Sequence, residues 1–283
     1  MIFISSSYVK NIKIKDSVEE LALNGFQNIE LSGGTKKYAN FEIDLLELKD
    51  KYNLNYQCHN YFPPPQQDFV LNLASLNDDT FNTSFNHLKK AIKLSELLGS
   101  KKLGFHAGFF IDIKVSEIGK KISKNTLFNE EKSISRFCEA FKKLKKINNS
   151  VDLFIENNVF SKTNSETYIG EMPFMMTNFS EYKSLKEKID FQLLLDVAHL
   201  KVSSTSLGLD WETEFENMIS ESSYIHVSDN DGLHDLNNEL KRSSNLMEMI
   251  RQVDTTNKDF TLEIYDNMYA IKTSYEILEE ASQ

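Results

Sequence analysis

Leu193-Leu194-Leu195-Asp196-Val197-Ala198-His199 is a short apolar run closed by an acid, with a histidine three residues further on. A carboxylate at the end of such a run is costly to bury without a partner. Three more runs in the second half of the chain end in the same way: Leu153-Phe154-Ile155-Glu156, Tyr224-Ile225-His226-Val227 and Phe260-Thr261-Leu262-Glu263. If the four ends converge, Glu156, Asp196, His226 and Glu263 supply carboxylate and imidazole donors to one divalent metal ion. Oxygen donors with a single imidazole suit Mn2+, Mg2+, Co2+ or Zn2+ alike.

Outward from these runs, the chain alternates short β-like stretches with longer amphipathic ones. The predicted strands are 2–5, 28–31, 55–59, 102–106, 153–157, 192–196, 224–227 and 261–265. Most are unbroken Ile, Leu, Val and Phe, as parallel strands buried on both faces are. Predicted helices cover 17–24, with Asp16 as N-cap and Gly25 as terminator, and 78–98, where Phe81, Phe85, Leu88 and Ile92 recur at helical spacing before Gly99. Others fit 131–147, 181–187, 210–220, 245–253 and 270–280. Strand–helix alternation repeated eight times predicts an α/β chain folded as a single (β/α)8 TIM barrel over 1–283. The alternative is a doubly wound open sheet. Ser5-Ser6-Ser7 follows the first run where that fold would carry a Gly-rich phosphate loop. No organic cofactor is expected.

Composition narrows the function. A formal net charge of -10 argues against a nucleic-acid footprint, although a local basic groove is compatible with an acidic total. Cys58 and Cys138 form neither a disulfide framework nor a CxxC pair. The N-terminal residues do not read as a signal peptide, and no apolar stretch approaches the roughly 20 residues of a membrane span. The expectation is a cytoplasmic protein without a membrane partner.

Long connections at 60–76, 108–129 and 159–178 all follow strands, so they belong to the C-terminal face of a barrel, where such folds keep their active sites. Tyr61, Phe62 and Phe109 on these loops are candidates for a substrate cover or for anchors of the loops themselves. His59 and His106 close the third and fourth runs, and His199 follows Asp196; each is a candidate for a second metal or for substrate binding. His87 reads as a packing or surface residue of a helix. Asp231 and Asp235, in the polar turn after the seventh run, are further candidates for substrate contact.

In order, the chain carries Cys58-His59, then Phe69-Val70-Leu71-Asn72-Leu73-Ala74-Ser75, Phe105-His106-Ala107-Gly108 and Ile155-Glu156-Asn157-Asn158. Leu195-Asp196-Val197-Ala198-His199, His226-Val227-Ser228-Asp229-Asn230-Asp231-Gly232 and Leu262-Glu263-Ile264-Tyr265 complete the series. This series resembles the xylose-isomerase-like barrel superfamily, which includes sugar isomerases and epimerases, inosose dehydratases and endonuclease IV-type apurinic-site nucleases. The resemblance implies that Glu156, Asp196, His226 and Glu263 form the shared metal site, and that His59 and His106 match extra zinc ligands of the nuclease branch. A third nuclease metal would need His199 with an Asp-x-His; the chain has Asp235-Leu236-Asn237, which departs from that pattern. Ketose 3-epimerases carry an arginine where this chain has Gly232.

The expected function is a divalent-metal-dependent isomerase or epimerase of a sugar or sugar-like polyol. Glu156 and Glu263 would exchange protons with carbon next to a carbonyl, and His199 would contact a substrate oxygen. A phosphodiester hydrolase of the endonuclease IV type and an inosose-dehydratase-like lyase are the alternatives. Arg136, Arg242 and Arg251 all read as helical or at helix starts, which favours a neutral carbohydrate over a heavily phosphorylated one. The expected partner is a small-molecule carbohydrate rather than nucleic acid, and related barrels are often homo-oligomers.

Overall fold

A computed structural model describes residues 1–282. Eight parallel strands close into a barrel in chain order, the last pairing with the first. They are β1 (Ile2–Ser5), β2 (Asn28–Leu31), β3 (Asn55–His59), β4 (Lys102–His106), β5 (Asp152–Glu156), β6 (Gln192–Asp196), β7 (Ser222–Val227) and β8 (Asp259–Leu262). The (β/α)8 barrel expected from the sequence is the fold. β5, β7 and β8 begin one or two residues earlier than the apolar pattern predicts, on Asp152, Ser222 and Asp259. The charge of Asp259 disguises the start of its strand. At the barrel floor, Lys102 Nζ and the exposed N-terminal ammonium each lie 2.9 Å from its carboxylate and neutralise it.

Helices α1 (Ile14–Leu23), α2 (Phe41–Tyr52), α3 (Asp78–Leu98), α4 (Glu130–Lys145) and α5 (Lys162–Thr167) occupy the first half of the ring. They are followed by α6 (Phe179–Lys186), α7 (Val197–Leu207), α8 (Trp211–Glu221), α9 (Asn245–Ile250) and α10 (Met268–Ala281). Asp16 is not the N-cap of α1 but lies in its first turn, where an acid complements the helix dipole. Asn77 caps α3, accepting the amides of Asp79 and Thr80, and Gly99 ends it at φ 71°. α2, α5 and α7 are additions to the predicted set. Arg242 lies in the turn before α9 rather than in a helix. Among the described residues no helix is long and apolar enough to cross a membrane.

The barrel interior is layered. Above the Lys102–Asp259 pair, Phe154, Leu194 and Tyr224 form a separate buried apolar cluster. Lys102 Nζ lies 5.2 Å from the ring centres of both Phe154 and Tyr224, a cation–π contact that eases burial of the ammonium. Gly104 faces the same space. A Cβ there would meet Leu194 Cδ2 at 2.6 Å and His59 Cδ2 at 3.0 Å, so the axis has no room for a β4 side chain at this level. The polar strand ends rest on this dry plug, shielded from solvent below.

Three loops cover the mouth. Asn72 binds the first to the second: its Nδ2 donates to the carbonyls of Phe109 (3.0 Å) and Ile111 (3.1 Å), and its Oδ1 accepts the amides of Ala74 and Phe109. Asn158 Nδ2 likewise donates to Ala107, Gly108 and Met175. A small apolar cluster of Ile111, Ile122, Phe160, Tyr168 and Phe174 packs between the second and third loops. Phe62 is buried in the main core against Phe41, and Phe109 packs on Phe174. Tyr61 accepts the amide of Leu71. All three aromatics act as loop anchors.

Candidate metal centre

The C-terminal ends of the strands bring six polar side chains to the axis above the apolar plug. β5 ends on Glu156, fully buried and at the hub. Its Oε2 lies 2.7 Å from His59 Nε2 at the end of β3 and 3.2 Å from His106 Nδ1 at the end of β4. Its Oε1 lies 3.6 Å from His226 Nδ1 on β7 and 3.6 Å from His199 Nδ1. Glu263, one residue past β8, reaches His226 Nδ1 at 3.5 Å.

Asp196 has two tasks. Oδ1 caps α7 by accepting the His199 amide at 2.7 Å, while Oδ2 faces His199 Nε2 at 3.7 Å. The cap explains why Asp and His stand three residues apart: the carboxylate that closes the strand also starts the helix that carries the histidine. His199 Nδ1 lies 3.0 Å from the Asn157 carbonyl, and its Nε2 is 3.3 Å from Asp235 Oδ2. Asn157 in turn clamps β5 to β6, with Nδ2 on the Asp196 carbonyl and Oδ1 on the Asp196 amide.

Three overlapping groups could hold a cation: Glu156 with Asp196 and His199, Glu156 with His59 and His106, and His59 with His226, Glu263 and Glu30. Within each, the potential ligand atoms lie within 4.8 Å of one another. No one of these groups contains all four residues singled out in the sequence: Asp196 is in the first, Glu156 in the first and second, and His226 and Glu263 in the third. Asp235 joins through His199. Asp231 is exposed, and its carboxylate caps its own turn and pairs with His234 at 3.0 Å. Glu30 is absent from the sequence-based candidates, because an acid inside the half-polar stretch Asn28-Ile29-Glu30-Leu31 reads as a solvent-facing strand residue.

The electrostatics are those of a crowded, buried site. Burial raises the Glu156 carboxyl, but the neighbouring His106 and His59 outweigh it and hold Glu156 well below the usual carboxylate range. Burial acts on Glu263 in the same sense and is overridden by His226, leaving it at about 2. Asp196 goes the other way: burial, reinforced by the Glu156 and Asp235 charges, pushes it up to about 7 despite His199. Burial lowers His106 to about 4 against the pull of Glu156.

Several atoms here are unsatisfied. Glu156 Oε1, His226 Nδ1, His106 Nδ1 and Asp235 Oδ1 are buried and make no hydrogen bond among the described residues. Orphaned buried groups of this kind are costly, and lone pairs facing one another at about 3–4 Å are the arrangement a cation would relieve. The donor set fits a divalent ion. Solvent approaches from one side, where the side chains of His106 and Asp235 are 25% and 24% exposed.

A family model described as a xylose isomerase-like TIM barrel matches residues 18–280. No curated protein sequence gives a significant match. Among solved structures, a D-tagatose 3-epimerase-like protein superposes with a TM-score of 0.73 at 16% identity, over 99% of this chain and 96% of the other. A D-psicose 3-epimerase from Clostridium cellulolyticum H10 gives 0.65 at 14%, covering 99% and 95%. Endonuclease IV from Thermus thermophilus gives 0.62 at 14%, covering 99% and 98%. At these identities the likeness is one of fold.

Proposed function

The chain belongs to the xylose isomerase-like TIM barrel family, and on that premise we propose that it is a divalent-metal-dependent isomerase or epimerase of a neutral carbohydrate. The observation that carries the reading is the convergence of two carboxylates, Glu156 and Glu263, on His226 Nδ1 at 3.6 and 3.5 Å, with unsatisfied buried atoms between them. Glu156, Asp196, His226 and Glu263 would hold the ion, Asp196 through Oδ2 because Oδ1 is committed to the helix cap. When bound, the cation polarises a carbonyl and stabilises the negative charge that follows loss of the neighbouring proton.

The protein's own groups supply the proton traffic. Glu263 is ionised at neutral pH and, with Glu156, comes from a non-adjacent strand, so the two can address opposite sides of one carbon. His199 is buried beside the partly exposed Asp235, suited to a substrate hydroxyl or carbonyl oxygen. Arg136 pairs with Asp78 and Arg242 with Glu280, on the exterior, which fits an uncharged substrate. The presence of sugar 3-epimerases among the similar structures is consistent with a sugar.

The test is proton exchange. Incubated with Mn2+ and a panel of free ketoses in heavy water, the protein is expected to exchange the hydrogen on carbon next to the carbonyl, followed by proton NMR. No exchange with any ketose would remove the isomerase reading.

The His59–His106–Glu156 group favours a second reading, an endonuclease IV-type phosphodiester hydrolase, because it offers a further cation site beside the first. Metal-dependent cleavage of abasic DNA without exchange on sugars would establish that reading instead.

Metal affinity should depend on pH. Asp196, at about 7, is protonated below that pH, so a cation must displace the proton. Affinity for Zn2+ is expected to climb through roughly pH 6 to 8 with release of at least about one proton per ion. Titration calorimetry in two buffers of different ionisation enthalpy measures that release, and Asp196→Asn should diminish it.

A further inference from the structure

We propose that Glu30, on β2, is a positioning residue that fixes which nitrogen of His226 faces the cluster. The inference rests on the reading of the cluster as a cation site. Glu30 is fully buried, and its partners come from two other strands, β7 and β8, and from the end of its own. Its Oε2 accepts the Tyr224 hydroxyl, the Thr261 hydroxyl at 3.0 Å and His226 Nε2 at 3.0 Å. Its Oε1 accepts the Ser32 hydroxyl at 3.3 Å. An ionised carboxylate accepts and never donates, with about four lone-pair sites in all. Three of the four donors share Oε2 and one reaches Oε1, and these bonds are what let a carboxylate stay buried without a Lys or Arg partner.

A consequence follows for the imidazole. With three hydroxyls already donating to it, Glu30 meets His226 as an acceptor, which places the proton on Nε2 and leaves Nδ1 as the atom to offer a lone pair. Nδ1 is the buried, unsatisfied atom 3.5 Å from Glu263 and 3.6 Å from Glu156. The ring is held in this orientation by edge-on packing between His59 (centroids 4.7 Å apart) and Tyr224 (5.4 Å). Glu30 also lies within reach of a cation held by His59, His226 and Glu263. Its Oε2, the oxygen that meets His226, is already saturated by three donors and so orients the ring rather than ligating; Oε1, with Ser32 alone at 3.3 Å, is the one oxygen with a lone pair to spare. Partners behind a ligating histidine act in this way on the metal they never touch.

The experiment compares wild type, Glu30→Gln and Thr261→Val. Glutamine keeps the shape but turns an amide donor toward His226 Nε2. Zn2+ affinity, measured by competition with a chelator, is expected to fall about 10- to 100-fold in Glu30→Gln. Thr261→Val removes one hydroxyl from Glu30 without disturbing its contact with His226, and should stay within about twofold of wild type on the same scale. Nitrogen-15 histidine spectra of the Zn2+-loaded proteins give the second readout: a His226 Nε2–H signal in wild type, lost or moved in Glu30→Gln. Equal affinities in wild type and Glu30→Gln would overturn the proposal while leaving the cation site standing. So would loss of a whole ion from the stoichiometry, which would make Glu30 a ligand, or weakened binding with the His226 signal unchanged. A wild type that takes up no Zn2+ would overturn the cation site itself, and the proposal with it.

Discussion

Glu156→Gln is expected to cut turnover on the order of 10³-fold or more and to release the bound cation, while leaving the barrel folded. A positioned acid–base group is worth about 10²–10⁴-fold, and the loss here should reach the upper part of that range because the same carboxylate belongs to two of the three candidate cation groups. The effect on stability is smaller. Glu156 carries a buried hydrogen bond to His59 at 2.7 Å and close contacts with His106 and His226. Breaking a buried ion pair can cost about 3–5 kcal/mol when a charge is stranded. Here the stranded partner can shed its proton: burial already works against the His59 charge, and the Glu156 carboxylate is what overrides it. The cost then reduces to roughly 1–3 kcal/mol for an unsatisfied buried group. Elemental analysis, turnover and circular-dichroism melting on the same preparation separate these effects. A variant that melts normally, retains its metal and keeps its activity would remove Glu156 from the site.

Gly108→Ala is expected to lose about 3 kcal/mol of stability, at the upper end of ordinary overpacking. A Cβ at this position would fall inside 3.0 Å of the Ala74 Cβ, at 3.0 Å from Met175 Sδ and at 3.2 Å from the Ala74 amide nitrogen. Neither side of the contact can yield easily. Ala74 is a fixed stub whose amide is held by Asn72 at 3.0 Å, and the Gly108 carbonyl accepts the Met175 amide at 3.0 Å and Asn158 Nδ2 at 3.1 Å. The new methyl group would push apart the three loops that cover the mouth. For a chain of this size the melting temperature should drop roughly 6–12 °C. Ala74→Gly in the same background removes the opposing methyl and should restore most of the loss. Without that rescue, the collision is not the cause.

Local pattern carries the fold. Apolar runs of four or five residues, separated by helical periodicity, need no tertiary information, and β1, β2, β3, β4 and β6 coincide with the predicted runs. The pattern misleads where the barrel buries charge at its floor, as at Asp259, because a charge is legible as interior only once its partner is known. Among the helices, α7 escapes the pattern because its start is hidden in the strand end itself: Asp196 serves both elements. Of the site, the residues at strand ends stand out individually, since a polar residue closing an apolar run is conspicuous. Glu30 does not, since its donors Tyr224, His226 and Thr261 lie 194, 196 and 231 residues away.

The sequence by itself determined the alternation that closes an eight-stranded barrel, and with it which end of each strand carries chemistry. Both follow from interactions within a few residues: periodicity, caps and the cost of burying a polar end. Only the tertiary structure decided which of those ends touch. Closing the barrel brings β2, β3, β5, β7 and β8 around one axis, makes Glu156 the hub, commits one oxygen of Asp196 to a helix cap and sets Glu30 behind His226. The same closure drives Asp196 and Glu263 apart in acidity, to about 7 and about 2. The physical reason is that electrostatics in a buried site depends on separations of a few ångströms between residues remote in the chain, and no local pattern records those distances.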